Sequence, residues 1–247
     1  MTLPPVISII IPVYNSAPLL EELYAGLRLS LEAIGRYELI FVDDASVDES
    51  LECLWGIAAR DSNVRVATMT RNLGQQEATL HGLSLASGEY CATMDDDGQH
   101  PADLLPVMFD RLRDDDLDIV YAVPEGGQRT FLRIFGSAMR DRMFSILLPH
   151  SKGTRVGSYR IMTRRLVRRV LAGRGAFNYF SAMVFQEPTR ATALTYAFRA
   201  CRTGRSGYTF RKLFDLYWKI FIYYGPFVTK RPAQASTHTT QETHSFD

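Results

Sequence analysis

The hydrophobic positions in the first half of the chain alternate between short apolar runs and longer segments with helical spacing. Residues 6–11 (VISIII) form an apolar, β-branched run, which is typical of a strand buried on both faces of a parallel sheet. From Pro18 to about Ile34, leucines recur at the spacing of one helix face, which predicts an amphipathic helix. A strand followed by a helix is the repeating unit of an α/β fold.

This unit recurs along the next hundred residues. Ser46 and Glu49 have the spacing of a capping box, which predicts a helix that opens there and ends near Ala59. Further helices are predicted over residues 75–86 and after residue 100, with Pro101 in the first turn of the latter. The remaining strands are predicted at residues 38–42, 64–69, 90–94 and 118–123. An alternation of this length predicts a doubly wound, mainly parallel sheet.

The alternation weakens after residue 128. A long basic segment with helical apolar spacing follows, then a stretch that contains Gly and Ser, and then residues 196–198, to which no element is assigned. We interpret residues 1–228 as one domain whose second half elaborates the sheet. Residues 229–247 are polar and rich in Thr, Ser and Gln, so they are predicted to form a disordered tail.

Charge is divided unevenly between the two halves. Residues 1–128 contain 7 Lys+Arg against 22 Asp+Glu, whereas residues 129–247 contain 21 against 5. Residues 128–174 contain 12 basic residues and one acidic residue, Asp141. Two interpretations stay open: the second half meets an anion such as phosphate, a membrane surface or nucleic acid, or its basic helix face balances the acidic half.

Cysteines and the N-terminus place further bounds on the class of protein. The three cysteines lie far apart and form no CxxC pair, which indicates neither a disulfide framework nor a zinc site and favours a reducing compartment. The apolar N-terminus has no basic region and no small-residue cleavage site, so it is interpreted as a core strand.

Polar residues gather directly after four of the predicted strands. Ligands of open α/β sheets bind beyond the carboxyl ends of the strands, so these positions are the candidate site. The four groups are residues 12–15 (PVYN), 43–46 (DDAS), 70–74 (TRNLG) and 95–99 (DDDGQ).

The triple aspartate 95–97 is the strongest metal candidate. Side chains at i and i+2 of an extended segment point the same way, so Asp95 and Asp97 are expected to face one cation. Such hard oxygen ligands suit Mg²⁺ or Mn²⁺; the alternative is a turn that caps a helix. A second run, residues 114–116, precedes a strand and is therefore predicted to be a solvated turn at the opposite edge. His100 is expected at or beside a helix N-cap, not as a ligand.

Taken together, the segments SIIIPVYN, FVDDASVDES, TRNLGQQEATLHGLSLASGEY and MDDDGQHP resemble the family 2 glycosyltransferases in order and spacing. Within that family, the chain is most similar to polyprenyl-phosphate glycosyltransferases of the dolichyl-phosphate mannose synthase type. GSYRIM (157–162) and RTGRSGYT (202–209) extend the resemblance to roughly residues 7–215.

The resemblance implies a GT-A fold: a mixed, mainly parallel sheet with a Rossmann-like nucleotide-sugar-binding half (1–128) and an acceptor- and membrane-facing half (129–228). It implies that Asp95 and Asp97 hold the metal on the sugar diphosphate, with Gln99 beside them. It also implies a set of donor-binding residues, among which Asp43 and Asp44 recognise base and ribose. The full set is Pro12, Tyr14, Asn15, Asp43, Asp44, Arg71, Gly74 and Asp96.

The implied reaction is an inverting, metal-dependent transfer of a sugar from a nucleotide-diphosphate sugar to polyprenyl phosphate. A phosphate monoester, with a second pKa of about 6, is already largely ionised at neutral pH and needs no general base. The planar guanidinium of arginine matches phosphate oxygens, so the candidates for binding the acceptor phosphate are Arg129, Arg133, Arg160, Arg202 and Arg205. Of these, Arg129, Arg133 and Arg202 are predicted to be catalytic. The expected location is cytoplasmic, peripheral on the inner face of the membrane, with self-association as a further expectation.

Three other functions remain as alternatives. A family 2 transferase acting on a sugar hydroxyl would need a carboxylate base, for which Glu187 is the candidate. A sugar nucleotidyltransferase would need an early glycine-rich loop, and residues 12–18 contain no glycine. A non-catalytic binder of nucleotide sugar or nucleic acid is disfavoured, and no nucleic-acid partner is expected, because the basic segment lacks interleaved aromatic residues.

One apolar segment near the C-terminus bears on membrane contact. Residues 214–228 number only 15 and include Asp215 and Lys219, so the segment is too short to span a bilayer. Its aromatic residues favour an interfacial helix; a core helix and a partner-binding helix are the alternatives.

Overall fold

The structure, a computed structural model, describes residues 3–125, 151, 153–197, 218–224 and 241–244 of the 247-residue chain. Its strands are β1 (Ile7–Val13), β2 (Tyr37–Asp43), β3 (Val64–Thr68), β4 (Tyr90–Thr93), β5 (Ile119–Glu125), β6 (Arg160–Thr163), β7 (Ala191–Ala197) and β8 (Gln241–His244). Its helices include α1 (Ala17–Leu31), α2 (Ser50–Ala58), α3 (Gln75–Leu85), α4 (Leu104–Asp114), α5 (Arg164–Ala172) and α6 (Phe180–Val184). Residues 218–224 are also helical.

All eight strands belong to one sheet, in the order β7-β5-β6-β4-β1-β2-β3-β8. β1 pairs in parallel with β2 and β4, β2 with β3, and β5 with β7. β6 runs antiparallel to β4 and β5, and β8 runs antiparallel to β3. The predicted doubly wound, mixed and mainly parallel sheet is confirmed. The four residues of β8 differ from the disorder predicted for residues 229–247, and the rest of that tail lies outside the described residues.

β1 lies at the centre of the fold and contributes residues to both hydrophobic cores. Ile9 and Ile11 pack into the core under α1 and α4, while Ile10 packs into the core under α3, α5 and α6. Every residue of β1 is buried. Because both faces of the strand are covered, its sequence is apolar apart from the buried Ser8, whose hydroxyl donates to Glu38, and it does not alternate with polar residues.

Two predicted helix starts were wrong. α2 begins at Ser50, and its N-cap residue Glu49 makes no side-chain capping bond, so the proposed capping box does not form. Instead, Asp48 accepts hydrogen bonds from the amides of Ser50 (3.0 Å) and Ala17 (3.2 Å), and this tertiary contact replaces the local motif. α4 begins at Leu104, so Pro101 precedes it and does not lie in its first turn.

The second aspartate run lies at the edge opposite the carboxyl ends of the parallel strands, as predicted. Asp114 ends α4, Asp115 pairs with Arg111 at 2.8 Å, and Asp116 pairs with Arg190. Two of these three carboxylates, those of Asp115 and Asp116, pair with arginines at the surface. They provide an internal comparison for the triple aspartate after β4.

Three arginines of the second half bind partners within the chain. Arg165 of α5 binds Asp118 at 2.5 Å, and Arg169 of the same helix donates to Thr189 (2.6 Å). Arg174 binds Glu77 of α3 at 2.9 Å. For these arginines the structure supports the interpretation in which basic residues balance the acidic half.

Candidate active site

The ends of three neighbouring strands enclose a cavity of about 200 Å³. It brings together the segments that follow β1, β2 and β4 and the first residue of α3. Its lining residues are Pro12, Val13, Tyr14, Asp44, Gln75, Asp95, Asp96 and Asp97. Six of the predicted site residues therefore meet at one place, as expected for the carboxyl edge of an open α/β sheet.

Asp96 joins the loop after β4 to the loop after β1. Its Oδ2 accepts hydrogen bonds from the Ser16 hydroxyl (2.5 Å) and the Tyr14 amide (3.1 Å). Burial raises the pKa of Asp96 above its ordinary value, and the hydrogen bonds from Ser16 and Tyr14 oppose that rise. Asp96 lines the cavity, but part of its carboxylate is used to hold the β1 loop.

Asp44 performs a comparable task on the other side of the cavity. Its two carboxylate oxygens accept the amides of Leu73 (2.8 Å) and Gly74 (2.7 Å). Gly74 has φ +88°, in the left-handed region that glycine tolerates, and it is the N-cap residue of α3. Burial raises the pKa of Asp44, while these two amides oppose the rise. Asp44 therefore fixes the start of α3.

Asp43 and Asn15 complete the link between the loops. Asp43 Oδ2 accepts from the Ser46 amide at 3.2 Å, whereas its buried Oδ1 has no hydrogen-bond partner in the described part of the chain. Asn15, at φ +54°, donates its amide to Ser46 Oγ (3.0 Å) and accepts from the Val47 amide (2.9 Å). The Asn15 side chain is thus engaged with the β2 loop, and Asp43 retains one free acceptor.

Tyr14 and Arg71 are exposed members of the predicted donor set whose side chains are not used to hold a loop. The Tyr14 side chain lines the cavity and is 47% exposed, so its ring is available to a planar base. Arg71 is exposed in the loop after β3. Both residues therefore remain candidates for contact with a nucleotide.

The Asp95 carboxylate is held by two distant elements. Oδ2 accepts from the Ser158 hydroxyl at 2.6 Å, and Oδ1 accepts from the side-chain amide of Gln75. The Asp95 amide donates to Nδ1 of His100 at 3.1 Å. Gln75 and Ser158 were not predicted as site residues; the position of Gln75, directly after the glycine that opens α3, was the only signal for it.

Asp97 has local partners. Its two oxygens accept from the Gln99 amide (3.0 Å) and the Gln99 side chain (2.8 Å). The expectation that Asp95 and Asp97 lie on an extended segment was wrong, because residues 96–98 form a bend and Gly98 has φ +71°. Both side chains nevertheless line the same cavity.

The metal-binding candidates at this cavity suit a divalent cation whose coordination is completed by substrate. Within the described residues, no group of three or more His, Cys, Asp or Glu side chains gathers around one point. Two carboxylates beside an open cavity are what Mg²⁺ commonly uses, since it keeps positions for water and for substrate phosphates. Asp95 and Asp97 meet this requirement.

Three aromatic rings pack together beside the loop that carries Asp95 and Asp97. The ring of His100 stacks on Tyr159 at 4.8 Å, and Tyr196 lies edge-on to both rings at 6.3–6.4 Å. Burial, followed by the charges of Asp95 and Asp97, raises the pKa of Tyr196 to about 12. His100 was predicted beside a helix N-cap, but the N-cap of α4 is Asp103. The role of Tyr196 had no sequence signal.

Arg160 lies buried at the same edge of the sheet. It is the first residue of β6 and pairs with Thr93, the last residue of β4. Its guanidinium lies 3.6 Å from the centre of the Phe180 ring, and its buried Nε has no hydrogen-bond partner in the part of the chain that the structure describes. Burial lowers the pKa of Arg160 to about 10, so the side chain remains charged at neutral pH.

Other predicted residues lie elsewhere. Glu187, the candidate base for a hydroxyl acceptor, pairs with Arg169 at 3.5 Å and precedes β7, whose first residue pairs with the first residue of β5. It therefore lies at the edge opposite the cavity, and the assignment was wrong. Arg129, Arg133, Arg202 and Arg205 lie outside the described residues.

A mixed, mainly parallel α/β sheet with acidic loops around a cavity at its carboxyl edge suits an enzyme that binds a phosphate-containing ligand with a divalent cation. The family model for glycosyl transferase family 2 matches residues 8–171. The chain belongs to glycosyl transferase family 2, and it is an enzyme of that class.

Two proteins named undecaprenyl-phosphate 4-deoxy-4-formamido-L-arabinose transferase are similar over most of the chain. That of Klebsiella pneumoniae (strain 342) is 30% identical over 230 residues, covering 89% of this chain and 68% of the relative. That of Enterobacter sp. (strain 638) is 29% identical over 222 residues, covering 87% and 66%.

Two solved structures share the fold. The mannosyltransferase PcManGT from Pyrobaculum calidifontis, in complex with GDP-Man and Mn²⁺, has a TM-score of 0.61 at 20% identity, covering 83% of this chain and 59% of its own. Glucosyl-3-phosphoglycerate synthase from Mycobacterium tuberculosis, with Mn²⁺, UDP-glucose and phosphoglyceric acid, has a TM-score of 0.62 at 17% identity, covering 88% and 77%. The predicted GT-A fold is confirmed.

Proposed function

We propose that this chain transfers a sugar from a nucleotide-diphosphate sugar to a polyprenyl phosphate, with inversion at the sugar. The observation that carries the proposal is the meeting of Asp95, Asp97 and the β1 and β2 loops at one cavity. The similar transferases named for undecaprenyl phosphate support the acceptor class. The GT-A structures that contain a nucleotide sugar and Mn²⁺ support a divalent cation.

Donor binding is assigned to the loops after β1, β2 and β3. Tyr14 offers an exposed ring for the base, and the free, buried Oδ1 of Asp43 offers an acceptor for a base or ribose donor. Arg71 and Pro12 complete the pocket. Asp44, Asn15 and Asp96 contribute by holding these loops, since their carboxylate or amide oxygens accept hydrogen bonds from backbone amides there.

Asp95 and Asp97 are assigned to Mg²⁺ or Mn²⁺, with Gln99 orienting Asp97. Such a cation, when bound, supplies Lewis-acid stabilisation of the departing diphosphate. The protein's own part is to exclude water and to align the acceptor with the anomeric carbon. The His100, Tyr159 and Tyr196 rings, which pack together near Asp95 and Asp97, are proposed to exclude water.

The acceptor is assigned as an ionised phosphate on the support of the similar transferases named for undecaprenyl phosphate. Arg160 is 3% exposed, contacts an aromatic ring and a backbone carbonyl, and senses the charge of Asp95, so it contributes positive charge beside the metal candidates. Glu187, the base required by the hydroxyl alternative, lies at the opposite edge. Arg129, Arg133 and Arg202 are proposed as further acceptor contacts from sequence alone.

Membrane contact is assigned to the helical segment 218–224. Ile220 and Tyr224 are buried in the core, whereas the opposite side exposes Trp218, Phe221, Ile222 and Tyr223. A helix with one side in the protein and an aromatic outer side suits the interface of a bilayer. No helix among the described residues is long and apolar enough to cross a membrane. We therefore propose a peripheral location on the cytoplasmic side, and self-association remains a prediction.

A donor and acceptor screen tests the proposal. The full chain is incubated with UDP-, GDP- and dTDP-sugars and Mg²⁺ or Mn²⁺, with either a short polyprenyl phosphate or a soluble saccharide, and nucleotide diphosphate is measured. We expect release that requires the lipid phosphate, and a product with inverted anomeric configuration by NMR. Turnover on saccharides alone would refute the acceptor, and retention of configuration would refute the inverting mechanism.

A further inference from the structure

Asp95 differs from its two neighbours in how the fold holds it. Asp97 has partners two residues away, and Asp96 is bonded to the β1 loop. Asp95 is held between α3 and the turn before β6, by residues that lie 20 positions earlier and 63 positions later in the chain. One hydrogen bond falls on each of its carboxylate oxygens, and Nε2 of His100 lies 3.8 Å from Oδ2.

The α3 contact comes from a rigid position. Gln75 is the first residue of α3, and the preceding Gly74 is fixed because its amide donates to Asp44 at 2.7 Å. The next residue, Gln76, accepts the amide of Phe180 at 3.1 Å, which ties the same turn to α6. The Gln75 side chain therefore projects toward Asp95 from a helix end that is anchored on two sides.

The β6 contact is anchored equally well. The Ser158 carbonyl accepts the Thr93 hydroxyl at 2.6 Å, so this turn is bonded to the last residue of β4, two positions before Asp95. The preceding Gly157 lies so close to β5 that an added Cβ would meet the Ala122 carbonyl oxygen at 3.3 Å. The Ser158 hydroxyl is consequently presented to Asp95 from a tightly packed turn.

These two contacts leave the carboxylate able to bind a cation. An ionised carboxylate has about four lone-pair positions, and two hydrogen bonds occupy only one on each oxygen. The side chain still lines the cavity. Groups that hydrogen-bond a metal-binding side chain fix its orientation and commonly change metal affinity by about 10–100-fold when removed.

We propose that Gln75 and Ser158 are positioning residues that hold the Asp95 carboxylate in the orientation in which it binds the divalent cation. The inference rests on the proposed function, because it takes Asp95 as a metal ligand. It assigns a role to the Gly157–Ser158 turn, which connects the acceptor half of the chain to the metal site in the donor half.

The test measures Mn²⁺ affinity directly, by electron paramagnetic resonance of the full chain, with and without UDP or GDP. The variants are Ser158→Ala, Gln75→Ala, and Ser158→Thr, which retains the hydroxyl. Ser84→Ala is the matched control, because its hydroxyl donates to the His81 carbonyl within α3. Asp95→Asn is the positive control, and thermal unfolding without metal reports any structural damage.

We expect Ser158→Ala and Gln75→Ala each to weaken Mn²⁺ binding by about 10–100-fold, while Ser158→Thr and Ser84→Ala bind as the wild type does. Unfolding temperatures without metal should not follow this order. Wild-type affinity in both Ser158→Ala and Gln75→Ala, with loss of binding in Asp95→Asn, would overturn the inference and leave the proposed function standing. Wild-type affinity in Asp95→Asn, or no Mn²⁺ binding by the wild type under any of these conditions, would overturn both. Should Ser158→Ala fail to fold, Gln75→Ala decides.

Discussion

The Ser16 hydroxyl donates a hydrogen bond to Oδ2 of Asp96 at 2.5 Å, across 80 positions of sequence. This contact closes one wall of the cavity, because it ties the loop after β1 to the loop that carries the metal-binding candidates. The middle aspartate of the trio thus maintains the site, while its two neighbours face the cavity with other partners.

Replacing Asp96 with alanine should therefore destabilise the protein. The change leaves the Ser16 hydroxyl and the Tyr14 amide without their acceptor, and each such loss costs about 1–3 kcal/mol where water cannot replace it. Urea unfolding measures the effect. Asp114→Ala, at the exposed opposite edge, is the control and should change the free energy of unfolding by less than about 0.5 kcal/mol; equal effects of the two changes would contradict the role of Asp96.

Because α3 packs closely on the sheet, two glycine-to-alanine substitutions should change the free energy of unfolding in opposite directions. A Cβ at Gly82 would lie 2.5 Å from Ile10 Cγ2 and 2.9 Å from Val42 Cγ2, so Gly82→Ala should cost about 1–3 kcal/mol through overpacking. Gly56, inside α2, has nothing within 4 Å of the same position, and Gly56→Ala should stabilise by about 0.4–1 kcal/mol. Chemical denaturation compares them, and stabilisation by both changes would be inconsistent with the tight contact.

Acid sensitivity should arise in part from Asp118. Burial alone would raise the pKa of this carboxyl, but the amide of Arg190 and the guanidinium of Arg165 hold it below its ordinary value. A carboxyl with a depressed folded-state pKa stabilises the protein above its unfolded-state pKa of about 3.9, and this contribution disappears as the pH falls through the folded-state value.

The prediction is tested with Asp118→Asn. Its free energy of unfolding should be lower than that of the wild type at pH 7, and the difference should shrink between roughly pH 5 and pH 2. Asp114→Asn serves as the control. A difference that stays constant, or grows, on acidification would show that the ionised form of Asp118 is not what stabilises the fold.

The outer side of the helical segment 218–224 should carry membrane affinity. Trp218→Ala combined with Phe221→Ala removes two exposed rings that lie 6.0 Å apart, and it should weaken binding to anionic phospholipid vesicles by about tenfold or more. Vesicle co-sedimentation measures this. Leu29 and Val107 are exposed on α1 and α4, and the double alanine change there should leave binding unchanged; an equal loss in both proteins would contradict a specific membrane face.

Sequence patterns were sufficient for strands β1 to β5 and for the edge at which the site lies, whereas β6, β7 and β8 were not predicted. The apolar run of β1 and the polar residues after β1, β2 and β4 identified the cavity, because strand direction alone determines which loops meet. They also separated the run 95–97 from the run 114–116, since one follows a strand and the other precedes one.

The hydrogen-bond partners of the site residues could not be predicted from the sequence, for a physical reason. Asn15 binds Ser46, Asp44 binds the start of α3, and Asp95 binds Gln75 and Ser158, all through contacts that span 20 to 63 positions and depend on loop conformation. The capping box failed similarly, because Asp48 bonds to the first residue of α1. The arginines of α5 were ambiguous until their acidic partners were placed.

The most direct test of the account is metal-dependent release of nucleotide diphosphate in the presence of polyprenyl phosphate, compared between wild type, Asp95→Asn and Asp115→Asn. Asp115 belongs to the aspartate run at the opposite edge and pairs with Arg111. Loss of a cation that is worth several kcal/mol of transition-state stabilisation should lower turnover by about a hundredfold or more in Asp95→Asn, while Asp115→Asn should remain as active as the wild type. Full turnover by Asp95→Asn would contradict the assignment of the triple aspartate after β4 as the catalytic metal site.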